Sequence, residues 1–429
     1  MSRKFLLLAS LLLPLGLAGC FDGDGSGSSM ATADLRVLHA SPDAPAVDLE
    51  INQQAFLENQ YYLSGTSYKT VPAVGFDLRI KAANGPSLLD ILGVNLAADT
   101  RYTAIAANTL ANLEVIVLDD TTAGPAAGNA MVRVAHMAPA APAVDVYAAA
   151  PGTDIATLTP AVSNAAFTDA TGYLEIPAGE YEFTVTAAGT TNVVYRSQAV
   201  TLDDGAIVTA AALEHPHDDV SPILLGLLTG QAADPILHVV DQRAALRVAH
   251  LSPDAPNIDV LIDDVVVLSN VAFGTISGYQ LSDSSVSNLK VNLTGTSTTL
   301  IDRDINPLAD VSYTVSVVDF AASVSTIASA DNLSDPGAGQ SKLRVVHASP
   351  DAPNVDVYIN GVREVPNIPF KEISNYLLMP SGVTNIRVAV AGSNTTVLSA
   401  SPDLADGGIY TLFAADEVAS LQAILVQDK

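Results

Sequence analysis

LRVVHASPDAPNVDVYI (residues 343–359) contains two short alternating runs separated by a proline-rich turn. Leu343 and Val345 share one parity before the turn, and Val355 and Val357 share one parity after it. Alternation with a period of two is typical of β-strands that bury one face. The segment therefore predicts two short strands, and if they form an antiparallel hairpin, the S-P-D-A-P turn closes it.

The same pattern occurs four times along the 429-residue chain. The other copies are LRVLHASPDAPAVDLEI (35–51), VRVAHMAPAAPAVDVYA (132–148) and LRVAHLSPDAPNIDVLI (246–262). Their histidines are separated by 97, 114 and 97 residues and are His39, His136, His250 and His347. Self-similarity at such a spacing indicates an array of similar domains, so we expect four tandem repeats.

Further signatures define the class of fold. Asn360-Gly361 is a strong hairpin signal between two alternating runs. Leu404-x-x-Gly407-x-x-Tyr410 has the spacing of a tyrosine corner, which is a feature of Greek-key sandwiches. No long segment shows a helical period. The sequence therefore predicts an all-β protein made of four tandem immunoglobulin-like antiparallel β-sandwich domains.

The repeated L-R-V-x-H-x-S-P-D-A-P-x-V-D-V-Y motif resembles the bacterial "domain of unknown function 4397" family, which occurs in exported and surface-anchored proteins. The resemblance covers residues 34–429. It implies a β-fold and an exported location, and it implies no activity because none is established for the family. We expect domains at 34–120, 130–243, 244–331 and 341–429, with an inserted loop at 214–234 in the second.

The first residues, MSRKFLLLASLLLPLGLAGC, have the pattern of a lipoprotein signal peptide. Two basic residues precede an apolar run that is too short to span a membrane stably. The run ends at Leu17-Ala18-Gly19-Cys20, which resembles a lipobox. We expect a signal peptide at 1–19, a lipidated Cys20 and a Gly/Ser-rich tether over 20–33. The mature chain is expected to be an outer-membrane lipoprotein, on the periplasmic face or the cell surface, without a transmembrane helix.

The charge and the cysteine content exclude several classes of function. The formal net charge is −27, with 46 acidic and 19 basic residues, so a phosphate backbone would be repelled and no nucleic-acid partner is expected. A single cysteine cannot form an internal disulfide or a cysteine-based zinc site. Sequence motifs of hydrolases, zincins and phosphate-binding loops do not occur. We therefore expect a protein that is not an enzyme and has no cofactor.

Each repeat carries an Arg and an Asp twelve residues apart. Both lie out of step with the apolar positions, so both are expected to face outward. If the two runs form a hairpin, each pair lies across the ladder and helps to fix the register; the alternative is that the Asp is a ligand or a general base. The pairs are Arg36/Asp48, Arg133/Asp145, Arg247/Asp259 and Arg344/Asp356.

The repeated histidine lies on the inward parity at the end of the first predicted strand. We expect a buried imidazole that bonds to the backbone of the following turn. Metal binding or catalysis would need partners, and Asp43, Asp254 and Asp351 are the nearest candidates. The second repeat retains His136 but loses the Ser and the Asp of the turn, which favours a structural role.

The 114-residue spacing places extra residues within 214–234. This insertion begins with Glu214-His-Pro-His-Asp-Asp and continues as SPILLGLLTG. A solvated polar loop is one interpretation. The other is a divalent-metal site made by His215, His217 and His238, with Asp218 or Glu214 in support. The apolar part is expected to be a short helix or an exposed patch.

These observations lead to three hypotheses on function. The first is a non-enzymatic lipoprotein of the cell envelope, anchored in the membrane by its lipid, that serves as a binding, adhesion or scaffold module for a glycan or an envelope protein. The second is a metal-binding protein or a metal-dependent hydrolase centred on the histidine-rich loop of the second repeat. The third is a passive periplasmic spacer.

Overall fold

The computed structural model describes residues 31–216 and 220–429. The predicted signal peptide, Cys20, the first part of the tether, His217 and Asp218 lie outside the described residues. The described part of the chain is β-structure throughout, in four repeats, with only short 3-10 turns as helical elements. No helix in this part is both long and apolar enough to cross a membrane.

Repeat 1 consists of two four-stranded sheets, which we name the front sheet (order β4-β1-β7-β8) and the back sheet (order β3-β2-β5-β6). Within the front sheet β1 runs parallel to β7, and the other pairs in this repeat are antiparallel. The elements are β1 (Thr32–Ala40), β2 (Val47–Ile51), β3 (Gln54–Gln60), β4 (Lys69–Pro72), β5 (Phe76–Ala82), β6 (Ser87–Val94), β7 (Arg101–Ala107), a 3-10 turn (Leu110–Asn112) and β8 (Glu114–Asp119).

Repeat 2 has the same plan with a fifth strand in its front sheet, in the order β12-β9-β16-β17-β18. Its back sheet has the order β11-β10-β13-β14, and β15 pairs with β13. The elements are β9 (Asn129–His136), β10 (Val144–Ala149), a 3-10 turn (Ile155–Thr157), β11 (Val162–Ala165), β12 (Leu174–Pro177), β13 (Gly179–Ala187), β14 (Val193–Arg196), β15 (Val200–Leu202), β16 (Ile207–Glu214), β17 (Ile223–Leu228) and β18 (Ile236–Val239).

Repeat 3 repeats the plan of repeat 1, with a front sheet in the order β22-β19-β25-β26 and a back sheet in the order β21-β20-β23-β24. The elements are β19 (Arg243–His250), β20 (Ile258–Ile262), β21 (Val265–Val271), β22 (Gln280–Asp283), β23 (Ser287–Leu293), β24 (Thr299–Ile305), β25 (Ser312–Val318), a 3-10 turn (Ala321–Ser323) and β26 (Ser325–Ala330).

Repeat 4 has a front sheet in the order β30-β27-β35-β36 and a back sheet in the order β29-β28-β32-β33, with β31 and β34 as an additional short pair. The elements are β27 (Gln340–Ala348), β28 (Val355–Ile359), β29 (Val362–Ile368), β30 (Leu377–Pro380), β31 (Gly382–Val383), β32 (Ile386–Val390), β33 (Thr396–Ala400), β34 (Asp403–Leu404), β35 (Ile409–Ala415), a 3-10 turn (Val418–Ser420) and β36 (Gln422–Gln427).

The all-β prediction is confirmed, with two corrections to its topology. Each repeat contains one parallel pair, which joins its first strand to the strand after the tyrosine-corner loop. The S-P-D-A-P segment does not close a hairpin, because β27 belongs to the front sheet and β28 to the back sheet. The proline-rich turn therefore carries the chain from one layer of the sandwich to the other.

Two local predictions are confirmed. The Asn360-Gly361 turn joins β28 to β29, and both residues have positive φ (49° and 86°), as a type I′ hairpin requires. The hydroxyl oxygen of Tyr410 accepts the N–H of Ala405 at 2.9 Å, which is the bond of a tyrosine corner. Repeats 1 and 3 make the same bond through Tyr102 and Tyr313.

The insertion in repeat 2 has a different structure from the one predicted. β17 pairs with β16 in the way that β8 pairs with β7, and β18 is the additional strand at the edge. All six residues of β17 are buried. The apolar SPILLGLL segment is therefore neither a helix nor an exposed patch.

The chain divides into two compact units. One, which we call the N-terminal pair, comprises repeats 1 and 2 over residues 31–215 and 222–240; the other, the C-terminal pair, contains repeats 3 and 4 over residues 241–429. Each repeat has an apolar core between its two sheets. A further apolar cluster is shared by the two repeats of each pair, and it is formed by front-sheet residues that face away from their own cores.

Candidate functional site: buried arginine clusters within each pair

The front sheets of each pair also enclose a cluster of polar side chains. Each repeat contributes an Arg from its first strand, a Thr from the parallel neighbour of that strand, a Tyr and, except in repeat 2, an Asp. The residues are Arg36, Tyr68, Thr103 and Asp120; Arg133, Tyr173 and Thr209; Arg247, Tyr279, Thr314 and Asp331; and Arg344, Tyr376, Thr411 and Asp428.

The parallel pair of strands positions this cluster. In repeat 4 the register sets Arg344 of β27 beside Thr411 of β35, and Arg344 Nε donates to Thr411 Oγ1 at 2.8 Å. Asp428 follows β36 and is tied back by its N–H, which donates to the carbonyl oxygen of Ile409 at 2.6 Å. Thr411 and Tyr376 donate their hydroxyls to Asp428 at 2.7 and 2.8 Å.

Two reciprocal ion pairs join the repeats of the C-terminal pair. Arg344 Nη2 of repeat 4 donates to Asp331 of repeat 3 at 2.5 Å, and Arg247 Nη2 of repeat 3 donates to Asp428 of repeat 4 at 2.5 Å. The arginine of each repeat thus binds the aspartate of the other repeat. This is the pattern of an isologous, pseudo-twofold interface.

These charges are removed from water. The side chains of Arg247 and Arg344 are 2% exposed, and those of Asp331 and Asp428 are 0% exposed. The arginine guanidinium groups also stack on tyrosine rings, with Arg344 4.7 Å from the centre of the Tyr376 ring. Buried ion pairs of this kind contribute little net stability, but removing one partner costs about 3–5 kcal/mol because the other charge is left uncompensated. The clusters therefore specify how the two repeats pack.

Tyr68, Tyr279 and Tyr376 of the clusters remain hydroxyl donors. Burial, together with the neighbouring carboxylate, raises the pKa of Tyr376 far above the ordinary value for tyrosine. Burial raises the pKa of Tyr279 and Tyr68 in the same direction. Each of these hydroxyls donates to an aspartate of its own repeat.

The N-terminal pair has only one of the two corresponding ion pairs between its repeats. Arg133 of repeat 2 pairs with Asp120 of repeat 1. Arg36 of repeat 1 has no aspartate of repeat 2 opposite it; it donates instead to Thr209 Oγ1 at 3.1 Å and to the carbonyl oxygen of Leu228 at 3.3 Å. Its Nε also lies 3.5 Å from Asp120, which is therefore shared by two arginines.

The predicted pairing of Arg and Asp twelve residues apart is wrong in all four repeats. The Arg residues lie on front-sheet strands and the Asp residues on back-sheet strands, so the core separates them. The arginines do face away from their own cores, as their parity predicted, but the other repeat of the pair covers them. The separated partners are Arg36 and Asp48, Arg133 and Asp145, Arg247 and Asp259, and Arg344 and Asp356.

The repeated aspartates fasten the backbone of the back sheet. Asp356 accepts the N–H of Asn367 at 2.8 Å and the N–H of Gly392 at 3.0 Å. Asn367 has a left-handed φ of 54° on the neighbouring strand, where the register shifts by a bulge. These bonds hold the pKa of Asp356 below its ordinary value. The corresponding acceptors in the other repeats are Asp48, Asp145 and Asp259.

The prediction for the repeated histidine is confirmed. His347 is 1% exposed, its Nε2 lies 3.2 Å from the carbonyl oxygen of Pro353, and its Nδ1 accepts the N–H of Ser349. Burial lowers the pKa of the imidazole, and the bond to Pro353 opposes that shift only in part. His39, His136 and His250 make the same bond to the turn.

The aspartate of the S-P-D-A-P turn has a structural partner of its own. Asp351 accepts the N–H of Val418 at 2.7 Å, at the start of the last 3-10 turn. Asp43 and Asp254 accept the equivalent N–H groups in repeats 1 and 3. These carboxylates therefore do not act on the neighbouring histidines.

The described residues of the predicted metal site are not brought together. Counting from the register, His215 and His238 are about 13 Å apart along the strands and two strand spacings of about 4.8 Å apart across them. His238 Nε2 already lies 3.0 Å from the carbonyl oxygen of Leu63. Within residues 31–216 and 220–429, no three His, Cys, Asp or Glu residues are placed to hold one metal ion.

The aspartates of the arginine clusters were missed by the sequence analysis, although a signal was present. Asp120, Asp331 and Asp428 each lie 84 residues after the Arg of their own repeat. The aromatic–Ser/Thr–Tyr signature also marked the tyrosines of the clusters, but not their role. The tyrosine binds the aspartate of its own repeat, and the pairing of repeats brings that aspartate to the arginine of the other repeat.

Comparison with known proteins gives a family but no activity. The profile of the family described as "Domain of unknown function (DUF4397)" matches residues 33–147, 148–233, 244–358 and 341–429, so the chain belongs to this family. No curated protein matches the chain.

Two solved structures show a distant likeness. The Bacillus anthracis TIE protein is 10% identical with a TM-score of 0.16, and 91% of this chain and 69% of that chain are covered. The product complex of SpuA, a multi-modular glycogen-degrading pneumococcal virulence factor, is 11% identical with a TM-score of 0.15, and 64% of this chain and 38% of that chain are covered. Likeness at this level carries no argument about function.

Proposed function

We propose that this chain is a non-enzymatic lipoprotein of the cell envelope whose paired β-sandwiches serve as a scaffold and binding module for a glycan or protein partner. The observation that carries the proposal is the use of the recurring polar residues. The repeated Arg, His and Asp side chains, and the repeated Tyr of the clusters, bind neighbours within the fold. The recurring polar residues therefore stabilise the fold. The specificity for a partner would come from surfaces that differ between the repeats.

One such surface is the edge strand β21 in the back sheet of repeat 3. Val265, Val266 and Val267 are 65%, 54% and 38% exposed on this strand. An edge strand offers unpaired backbone groups to a partner, and its exposed apolar side chains can be buried on binding. It is therefore suited to the addition of a strand from a partner. We infer that partner binding uses this edge.

Binding at β21 is tested with Val266→Lys and a matched control, Leu308→Lys, which changes a side chain that is 64% exposed in a loop of the same repeat. Immobilised full chain is titrated with peptidoglycan, envelope polysaccharides and purified envelope proteins. We expect Val266→Lys to weaken binding at least tenfold while Leu308→Lys leaves it unchanged. Absence of binding to every probe would contradict the binding role and favour a passive spacer.

The membrane anchor is tested at Cys20. We expect labelled fatty acid to be incorporated into the wild-type chain in a Gram-negative host, and the chain to fractionate with the outer membrane. Cys20→Ala should abolish incorporation and release the chain. An unlabelled wild-type chain would contradict the anchor.

The proposed absence of enzymatic activity has its own test. Hydrolysis of ester or phosphoester substrates by the full chain, lost on chelation and in His215→Ala, would overturn it and favour the metal-dependent alternative.

A further inference from the structure

Gly230 occupies the place that an aspartate has in the other three repeats. In repeat 4, Asp428 stands opposite Ile409, one position beyond the last paired residues of β35 and β36. In repeat 2, Thr209 pairs with Leu228, and the same register puts Gly230 opposite Ile207. The carboxylate that would complete the cluster of the N-terminal pair is therefore missing.

The donors that this carboxylate would serve are all present. In the C-terminal pair, Asp428 accepts from the guanidinium of Arg247 and from the hydroxyls of Thr411 and Tyr376. The corresponding donors in the N-terminal pair are Arg36, Thr209 and Tyr173.

These donors have no carboxylate in common in the described part of the chain. Thr209 Oγ1 accepts from both Arg36 and Arg133, and the hydroxyl of Tyr173 lies 3.5 Å from it. The Nε of Arg133 is buried without a hydrogen-bond partner among the described residues. Several hydrogens therefore converge on a place where the other pair holds a negative charge.

The charge balance of the two pairs differs accordingly. The C-terminal pair encloses two arginines and two aspartates, whereas the N-terminal pair encloses Arg36 (1% exposed) and Arg133 (2% exposed) with Asp120 alone. A guanidinium group does not lose its proton in a protein. An uncompensated charge in a buried site is strongly unfavourable. Binding of an anion would therefore stabilise the N-terminal cluster.

The left-handed backbone at Gly230 favours glycine over a residue with a side chain. Its φ is +71°, and a Cβ built there would lie 3.2 Å from the Tyr68 ring and 3.6 Å from Arg36 Nη1. We propose that the N-terminal pair binds one small monovalent anion, chloride, against Arg36, Thr209 and Tyr173, where the C-terminal pair uses the carboxylate of Asp428. This site is independent of the proposed role in the envelope.

The test uses the full chain in gluconate, an anion too large for a buried site, and in chloride at equal ionic strength. We expect the wild-type chain to broaden the chloride NMR signal relative to buffer without protein. At chloride concentrations about 100-fold above the dissociation constant, the unfolding midpoint of the N-terminal pair should rise by about 5–10 °C. Hydrogen exchange in β9 and β16 locates the effect.

Two substitutions form a matched set. Asp428→Gly should create the same vacancy in the C-terminal pair and make its midpoint depend on chloride. Gly230→Asp should supply the missing carboxylate and abolish the dependence in the N-terminal pair. If Gly230→Asp does not fold, Thr209→Val, which removes one donor, should weaken chloride binding at least tenfold.

Three outcomes would overturn the proposal. One is a chloride linewidth that is the same with and without the wild-type chain, together with equal unfolding midpoints in chloride and gluconate. Another is a chloride effect that persists unchanged in Gly230→Asp or in Thr209→Val. The third is stabilisation by acetate with none by chloride or bromide, which would assign the site to a carboxylate ligand instead.

Discussion

At the scale of single residues, the recurring histidine and back-sheet aspartate have the same task, which is to satisfy backbone groups where the chain leaves regular strands. His347 binds the turn that crosses between the sheets. Asp356 binds a bulge on one neighbouring strand and a turn beyond the other. The recurrence of the histidine and of the back-sheet aspartate is explained by these backbone bonds.

The histidines make stability depend on pH. Burial lowers the pKa of His347 below its ordinary value of 6.5, so the folded state holds a neutral imidazole while the unfolded chain binds a proton below about pH 6.5. Stability is therefore full above about pH 6.5 and falls as the pH drops below it. We expect His347→Gln to lose less stability than wild type between about pH 7 and pH 5, measured by urea unfolding; equal losses would contradict this.

The aspartate of the back sheet is tested by Asp356→Ala. The substitution leaves the N–H groups of Asn367 and Gly392 without their acceptor, so we expect a loss of about 1–3 kcal/mol in unfolding free energy. Glu364→Ala, at an exposed position of the neighbouring strand β29, is the control and should change stability by less than about 0.5 kcal/mol. Similar effects of the two substitutions would refute the role assigned to Asp356.

At the scale of elements, the parallel pairing of the first strand explains why Arg and Thr recur. The register sets Arg344 beside Thr411 on the face that the other repeat covers. This pairing was not predictable from the alternating pattern, because parity gives the face of a strand and not its neighbour. The strands, the hairpin at Asn360-Gly361 and the tyrosine corner were predictable, since each is determined within a few residues.

The same limit explains the errors at the candidate sites. Arg344 and Asp356 looked like partners because both have outward parity and a hairpin would place them across one ladder, whereas the turn crosses between the sheets and the core lies between them. Asp331 became a partner of Arg344 only through the association of two repeats. His215 and His238 looked close because the strand between them, β17, had been taken for part of a loop.

The reciprocal ion pairs are tested with a double-mutant cycle in the C-terminal pair. Arg344→Met and Asp331→Leu should each cost about 3–5 kcal/mol, because each leaves one buried charge uncompensated. The double variant removes both charges, so it should recover about 0.5–3 kcal/mol relative to the sum of the single effects. Unfolding in guanidinium chloride measures all four states, and additive effects would contradict a direct pair.

At the scale of the whole molecule, the unit of organisation is a pair of repeats and not a single repeat. Each pair shares an apolar cluster and an arginine cluster between its front sheets. The family profile matches four segments of the chain, whereas the packing joins the repeats two by two. Because the two pairs differ at Gly230 and Asp428, they are expected to differ in their response to anions.

Hydrogen exchange of the full chain, wild type against Arg344→Met, tests this organisation most directly. Arg344 lies in repeat 4, but it binds Asp331 and Thr314 of repeat 3. We predict faster exchange in β19 and β25 as well as in β27 and β35, and no such change in the control Arg303→Met, an exposed position of β24. Faster exchange confined to repeat 4 would contradict the pair as the cooperative unit.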